Sequence, residues 1–168
     1  MSEITSEKRV TPRMLLVAGI VLLILGWPCY TYLAFKFGIR SKHGDYIDVD
    51  LKDLGYFEID ASTATIESIP ERHRNLDGKK VFLQGDIQRP EMDYSKLLSF
   101  QLIAPGRRHP NLPERVFSTV NKGAAIKYDF TGTYNVYGTL HFTMKRDPAS
   151  NEVIEVYHLD VDKVEPKN

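Results

Sequence analysis

Residues 14–35 read MLLVAGIVLLILGWPCYTYLAF, from Met14 to Phe35, without one charged side chain. No other stretch constrains the fold as tightly. At ~1.5 Å per residue a helix of this length reaches about 33 Å, against the ~30 Å hydrocarbon core of a bilayer. A core helix of a small domain keeps a polar face, because only one stripe of it is buried; residues 14–25 offer no such face. Trp27, Tyr30 and Tyr32 gather in the C-terminal third, where aromatic rings suit a headgroup interface and a kink at Pro28 is tolerated. The expectation is a single uncleaved transmembrane helix. A cleaved export signal is the first alternative and a buried helix the second. Cleavage requires small residues before the cut, and Gly26-Trp27-Pro28 does not supply them. The same tripeptide argues against a lipoprotein site at Cys29, leaving an apolar filler or, more weakly, a palmitoylated thiol.

Cys29 is the only cysteine, so no disulfide or thiolate metal site forms within one chain. Residues 1–40 hold five basic and two acidic side chains, which leaves 17 basic and 20 acidic ones in residues 41–168. That mild acidity argues against a nucleic-acid surface, which needs a positive excess. Lys8, Arg9 and Arg13 precede the apolar run, and Lys36, Arg40 and Lys42 follow it. Three against three leaves the positive-inside rule undecided.

Beyond a linker and lead-in segment (residues 36–55), the pattern turns to strands. Residues 45–60 have mixed periodicity and suit a strand, a short helix, or both. Ser68 and Glu71, with Pro70 between them, have capping-box spacing for a short helix that stops before Asp77-Gly78. Five period-two segments follow at residues 79–87, 96–104, 114–120, 131–144 and 152–164. Glycines at mid-strand in the first and fourth allow sharp coiling. The fold class expected is mainly β: a transmembrane helix, one short helix, and a five-stranded OB-like β-barrel over residues 56–166, behind a tail of residues 1–13.

The pieces IPERHRNLDGKKVFLQGDIQRP, SFQLIAP, YNVYGTLHF and VYHLDVDKVEP resemble an uncharacterised bacterial domain-of-unknown-function family with an OB-like barrel. The resemblance covers roughly residues 55–166. It implies an exported or membrane-attached protein, and so an extracytoplasmic domain on the inner membrane. Many members of that family carry a cysteine in the loop after the second strand. Here the loop reads APGRRHPNLPER, so no thiol or metal role carries over.

Nucleophile elbows and phosphate-binding glycine loops are absent from the sequence, and no residue set stands out as catalytic. Whether the chain is an enzyme stays open, leaning to no, and no cofactor or metal is expected. The five histidines lack paired ligand spacing. His141 and His158 flank the turn RDPASN and are placed to approach across a hairpin, with Asp160 and Asp162 on the same face as His158; a solvated strand face is the plainer explanation. The proline-rich loop offers Arg107, Arg108, His109 and Arg115, and its neighbour adds Arg89 and Tyr94. Guanidinium groups on a stiff loop suit a carboxylate or phosphate, so these six are the candidate ligand-binding residues. Tyr128, Tyr134 and Tyr137 are weaker candidates for ring stacking. The function expected is a membrane-anchored binding or adaptor module for a protein, peptide or glycan of the cell envelope. A periplasmic haem or metal chaperone is the alternative, and single-stranded nucleic-acid binding is a further one if the domain is cytoplasmic.

Overall fold

The computed structural model describes residues 12–37, 41–94, 96–121 and 132–167. The chain divides into two units, residues 1–39 and 40–168. Within the first, helix α1 spans Pro12–Phe37. Pro12 opens it, where a fixed φ and a missing N–H are harmless. Pro28 lies inside, and the Thr31 hydroxyl donates to the Pro28 carbonyl at 3.0 Å. Leu16, Val17, Ile24, Leu25 and Trp27 are exposed.

The membrane-crossing expectation for residues 14–35 is corrected here. Among the described residues no helix is long and apolar enough to cross a membrane. The unbroken run of aliphatic side chains, interrupted only by Gly19, closes at Leu25, before Gly26, Trp27, Pro28, Tyr30, Thr31 and Tyr32. From Leu15 it rises about 17 Å, little more than half of a ~30 Å hydrocarbon core.

The second unit is built on one sheet. Its strands are β1 (Lys42–His43), β2 (Tyr46–Val49), β3 (Lys79–Asp93), β4 (Lys96–Ile103), β5 (Arg115–Val120), β6 (Thr133–Arg146) and β7 (Val153–Pro166). The order is β1-β2-β3-β4-β5-β7-β6, with β6 also pairing to β3. The β2–β3 and β5–β7 pairs are parallel and the others antiparallel. Strand β3 changes partner along its length: Lys79–Asp86 faces β6, and Asp86–Asp93 faces β4. Arg89 sits at that irregularity with φ 48°, and such a bulge bends a strand and increases its twist.

The expectation of a five-stranded OB-like barrel is corrected to one curled seven-stranded sheet, in which β1 and β2 extend beyond β3. The difference comes from residues 45–60, which form both a strand and a helix. Ile47 and Val49 of β2 align with Val81 and Leu83, extending the sheet past β3 and leaving β1 as an edge. Each of the five expected strand regions does form a strand, with β3 running on to Asp93 and β6 to Arg146. Thr131, at the start of the fourth, lies outside the described residues.

Alternation explains the core. Val81 and Leu83 of β3, Val136 and Leu140 of β6, and Leu159 and Val161 of β7 are fully buried. Helix α2 (Leu51–Leu54) closes over them: the Asp50 carboxylate accepts from the Lys52 amide at 2.9 Å, and Leu51 and Leu54 are buried. Each leucine contributes about 1.5–3 kcal/mol by leaving water. The Tyr157 hydroxyl donates to the Leu54 carbonyl at 3.0 Å, tying β7 to α2. The capping box forms one turn earlier than expected, between Thr65 and Ser68 around the turn Ile66–Ser68, and α3 (Glu71–Arg74) starts at Pro70 without a side-chain cap. At Gly138 a Cβ would collide with the Asp160 carbonyl, so glycine lets β6 and β7 close up where their register shifts.

Candidate functional site

Register and period-two alternation set up two rows on the outward side of the sheet. Gln101, Phe117, His158 and His141 stand opposite one another in turn across β4, β5, β7 and β6. Ser99, Thr119, Asp160 and Thr139 form the adjoining row. Over the β4–β5 end lies a groove of about 300 Å³, lined by Ser99, Gln101, Phe117, Thr119 and His158, with Arg89 and Glu155 beside them. Arg89 reaches it from the β3 bulge, and among the described residues it has no ion-pair partner.

Glu155 is nearly buried, and a carboxylate so placed needs partners. It has two: His158 Nδ1 at 2.7 Å and the Thr143 hydroxyl at 3.4 Å. The other nitrogen of His158 is 3.6 Å from Asp160 Oδ1, and Asp160 Oδ2 is 3.4 Å from His141 Nε2. His141 Nδ1 stands 3.8 Å from Asp77 Oδ1. A chain of two imidazoles and three carboxylates thus runs along the sheet surface next to the groove. Cationic and hydrogen-bonding groups over a phenyl ring suit a ligand with a flat or apolar part and an acidic group.

Of the six candidate residues from the sequence, only Arg89 lines this groove. Tyr94 is fully exposed in the β3–β4 turn. Arg107 is paired with Glu114 at 2.7 Å and borders a separate cleft of about 380 Å³ with Lys52 and Tyr56. Arg108 and His109 are exposed on the same loop. Arg115 donates twice to the Pro110 carbonyl, at 3.0 and 2.8 Å, and so braces the loop from within. Tyr134 and Tyr137 are buried, and Tyr128 lies outside the described residues. The expected approach of His141 and His158 occurs, directly across β6–β7, while Asp162 turns instead to Asn121 and Tyr46. Sequence reasoning missed Ser99, Gln101, Phe117, Thr119 and Glu155. The signal for the first four was the alternation of outward positions in SFQ and FST.

A second outward patch lies across β1, β2, β3 and β6. His43 stacks on Phe82 at 4.7 Å, and Phe82 and Tyr46 meet Tyr137 at 5.0 and 5.2 Å. Lys163 Nζ is 5.4 Å from the centre of the Tyr137 ring. A hydrogen bond from Lys163 to Glu165 raises the lysine's pKa.

The second unit is thus a mainly β domain carrying a ligand-sized groove on one sheet face. Among solved structures the chain is similar to a protein of the DUF3299 domain-of-unknown-function family from Pseudomonas aeruginosa PAO1, at 16% identity and a TM-score of 0.49, over 73% of this chain and 97% of that one. It is also similar to a protein assigned as an aspartyl-tRNA synthetase from Leishmania major Friedlin, at 10% identity and a TM-score of 0.43, over 75% of this chain but 21% of that one. Both likenesses are too distant to carry function. No family profile and no curated protein matches the chain.

Proposed function

We propose that this chain is a cell-envelope binding or adaptor module, whose sheet domain presents the Arg89–His158 groove to a peptide or glycan bearing an acidic group. The observation that carries the reading is the groove itself: a guanidinium with no ion pair among the described residues, hydroxyl and amide groups on Thr119 and Gln101, and the Phe117 ring between them, while the Ser99 hydroxyl at its edge donates to Glu91 at 2.7 Å. Arginine offers a planar fork to a carboxylate, and an aromatic ring supplies contact area at little entropic cost. Attachment at the extracytoplasmic face of the inner membrane belongs to the same proposal. The exposed aliphatic side chains of α1 support it, because they need an apolar surface to cover them.

The test is chemical crosslinking in intact envelopes, comparing the wild type with Arg89→Ala/Phe117→Ala and with Arg107→Ala/Arg108→Ala. The expected result is a partner captured by the wild type and by the second pair, and lost with the first. Equal capture by all three proteins would remove the groove as the site.

A further inference from the structure

We propose that His73 is a proton-operated catch: neutral, it holds α2 and α3 down over the sheet core, and protonated, it releases them. His73 is fully buried, while its helix neighbours Glu71 and Arg74 are exposed. One hydrogen bond settles its state. The Arg72 Nε–H donates to His73 Nε2 at 2.9 Å. Arginine offers donors and no acceptor, and it keeps its charge inside proteins. His73 Nε2 is therefore the bare, accepting nitrogen, and the ring is neutral with its proton on Nδ1, which is also buried. A second proton has only Nε2 to go to. There it sets N–H against N–H and an imidazolium against a guanidinium, in a place where burial already opposes charge.

The same guanidinium joins two elements. Arg72 Nη2 is 3.4 Å from Asp53 Oδ1 on α2. The Phe57 ring, from the segment after α2, lies 5.8 Å from the imidazole, centre to centre. So α3 sets Arg72 against the ring, α2 sets Asp53 against Arg72, and Phe57 adds no charge. Leu51 and Leu54 of α2, and Ile69 and Leu76 on either side of α3, are buried around this junction. Turning Arg72 away from a protonated ring breaks the Asp53 link at the same moment, and the two short helices lose their tie. Acid, not base, opens the cover. With α2 and α3 lifted, His73 meets water and accepts a proton at the ordinary histidine value of about 6.5; seated, it does not. The cover is therefore firm above that pH, and below it the opening constant rises about tenfold for each unit of pH.

The catch does not depend on the groove or its ligand, because the proton alone is the probe. Full-length protein in mild detergent is followed by amide hydrogen exchange, with rates corrected for the intrinsic effect of pH on exchange. Between about pH 6.5 and about pH 5.5, opening of residues 51–57 and 70–76 is expected to rise about tenfold, while β3, β6 and β7 keep their protection. His73→Gln sets an amide oxygen near the place of Nε2 and cannot titrate, so it should keep the cover and abolish the rise. An equal response to pH in the wild type and His73→Gln, no response in either, or strands that open together with the two helices would overturn the proposal. If circular dichroism shows His73→Gln unfolded, nitrogen-15 spectra of the wild type at neutral pH decide. A bare Nε2 with a protonated Nδ1 upholds the catch, and the opposite tautomer or a doubly protonated ring removes it.

Discussion

His43 and His158 both stand on the outside of the sheet, yet their surroundings differ in kind. His43 lies against Phe82, in a patch completed by Tyr46 and Tyr137 and flanked by Lys80 and Lys163. His158 has a carboxylate near each ring nitrogen and a phenyl ring next to it in the row. The first surface spends its aromatic area on itself, so its ring contacts favour the fold. The second keeps hydrogen-bonding groups open beside a groove, an arrangement that does little for stability and suits recognition. An outward position in a period-two pattern therefore says little; what each ring touches separates packing from binding.

The largest effect is expected from Tyr137→Ala. It removes the ring that His43, Tyr46 and Phe82 share, and urea unfolding should show a loss of about 3 kcal/mol. A loss below about 1 kcal/mol would mean that the aromatic patch is no more structural than the groove. Next comes Gly138→Ala, which drives a methyl group into the Asp160 carbonyl; overpacking of this kind costs about 1–3 kcal/mol, read in the same unfolding experiment. Arg89→Ala should leave stability within about 0.5 kcal/mol, as surface changes usually do, while partner capture is lost. A clear drop in unfolding free energy would instead make Arg89 a structural residue of the β3 bulge.

The smallest effect concerns Asp60, whose pKa is lowered chiefly by a hydrogen bond from the Ser62 hydroxyl at 2.7 Å. A depressed carboxylate favours the fold above its unfolded pKa of about 3.9, and that contribution is lost as pH falls through the folded value. Ser62→Ala should move the Asp60 pKa back up, measured by NMR titration, without touching either surface.

The strands were legible because they combine β-branched residues with strict alternation and sit between strong turn signals. The extension of β3 was not, since QRPEMD carries a proline and three charges and reads as a loop; a bulge at Arg89 carries the strand through it. The barrel expectation failed at residues 45–60, where a strand and a helix follow each other too closely for either period to show. Loop composition made Arg107 and Arg115 look available, but composition does not reveal Glu114 or the Pro110 carbonyl that occupy them. The His141–His158 approach followed from their places on the two strands that flank RDPASN. Glu155 escaped notice because the irregularity near Phe142 and Lys145 breaks alternation in that part of the β6–β7 hairpin.

The position of β7 between β5 and β6 has a kinetic consequence. Among the described residues, Val153–Pro166 is the one stretch that hydrogen-bonds to both of those strands. In a nascent chain ending at residue 150, β5 and β6 are linked only the long way round, through β4 and β3, and the position between them is empty. Bringing β7 alongside β5 requires a long loop to close before any ladder rewards it, and topologies rich in such distant pairings fold in roughly milliseconds to seconds. On the ribosome, the gap between β5 and β6 therefore stays open until β7 emerges to fill it.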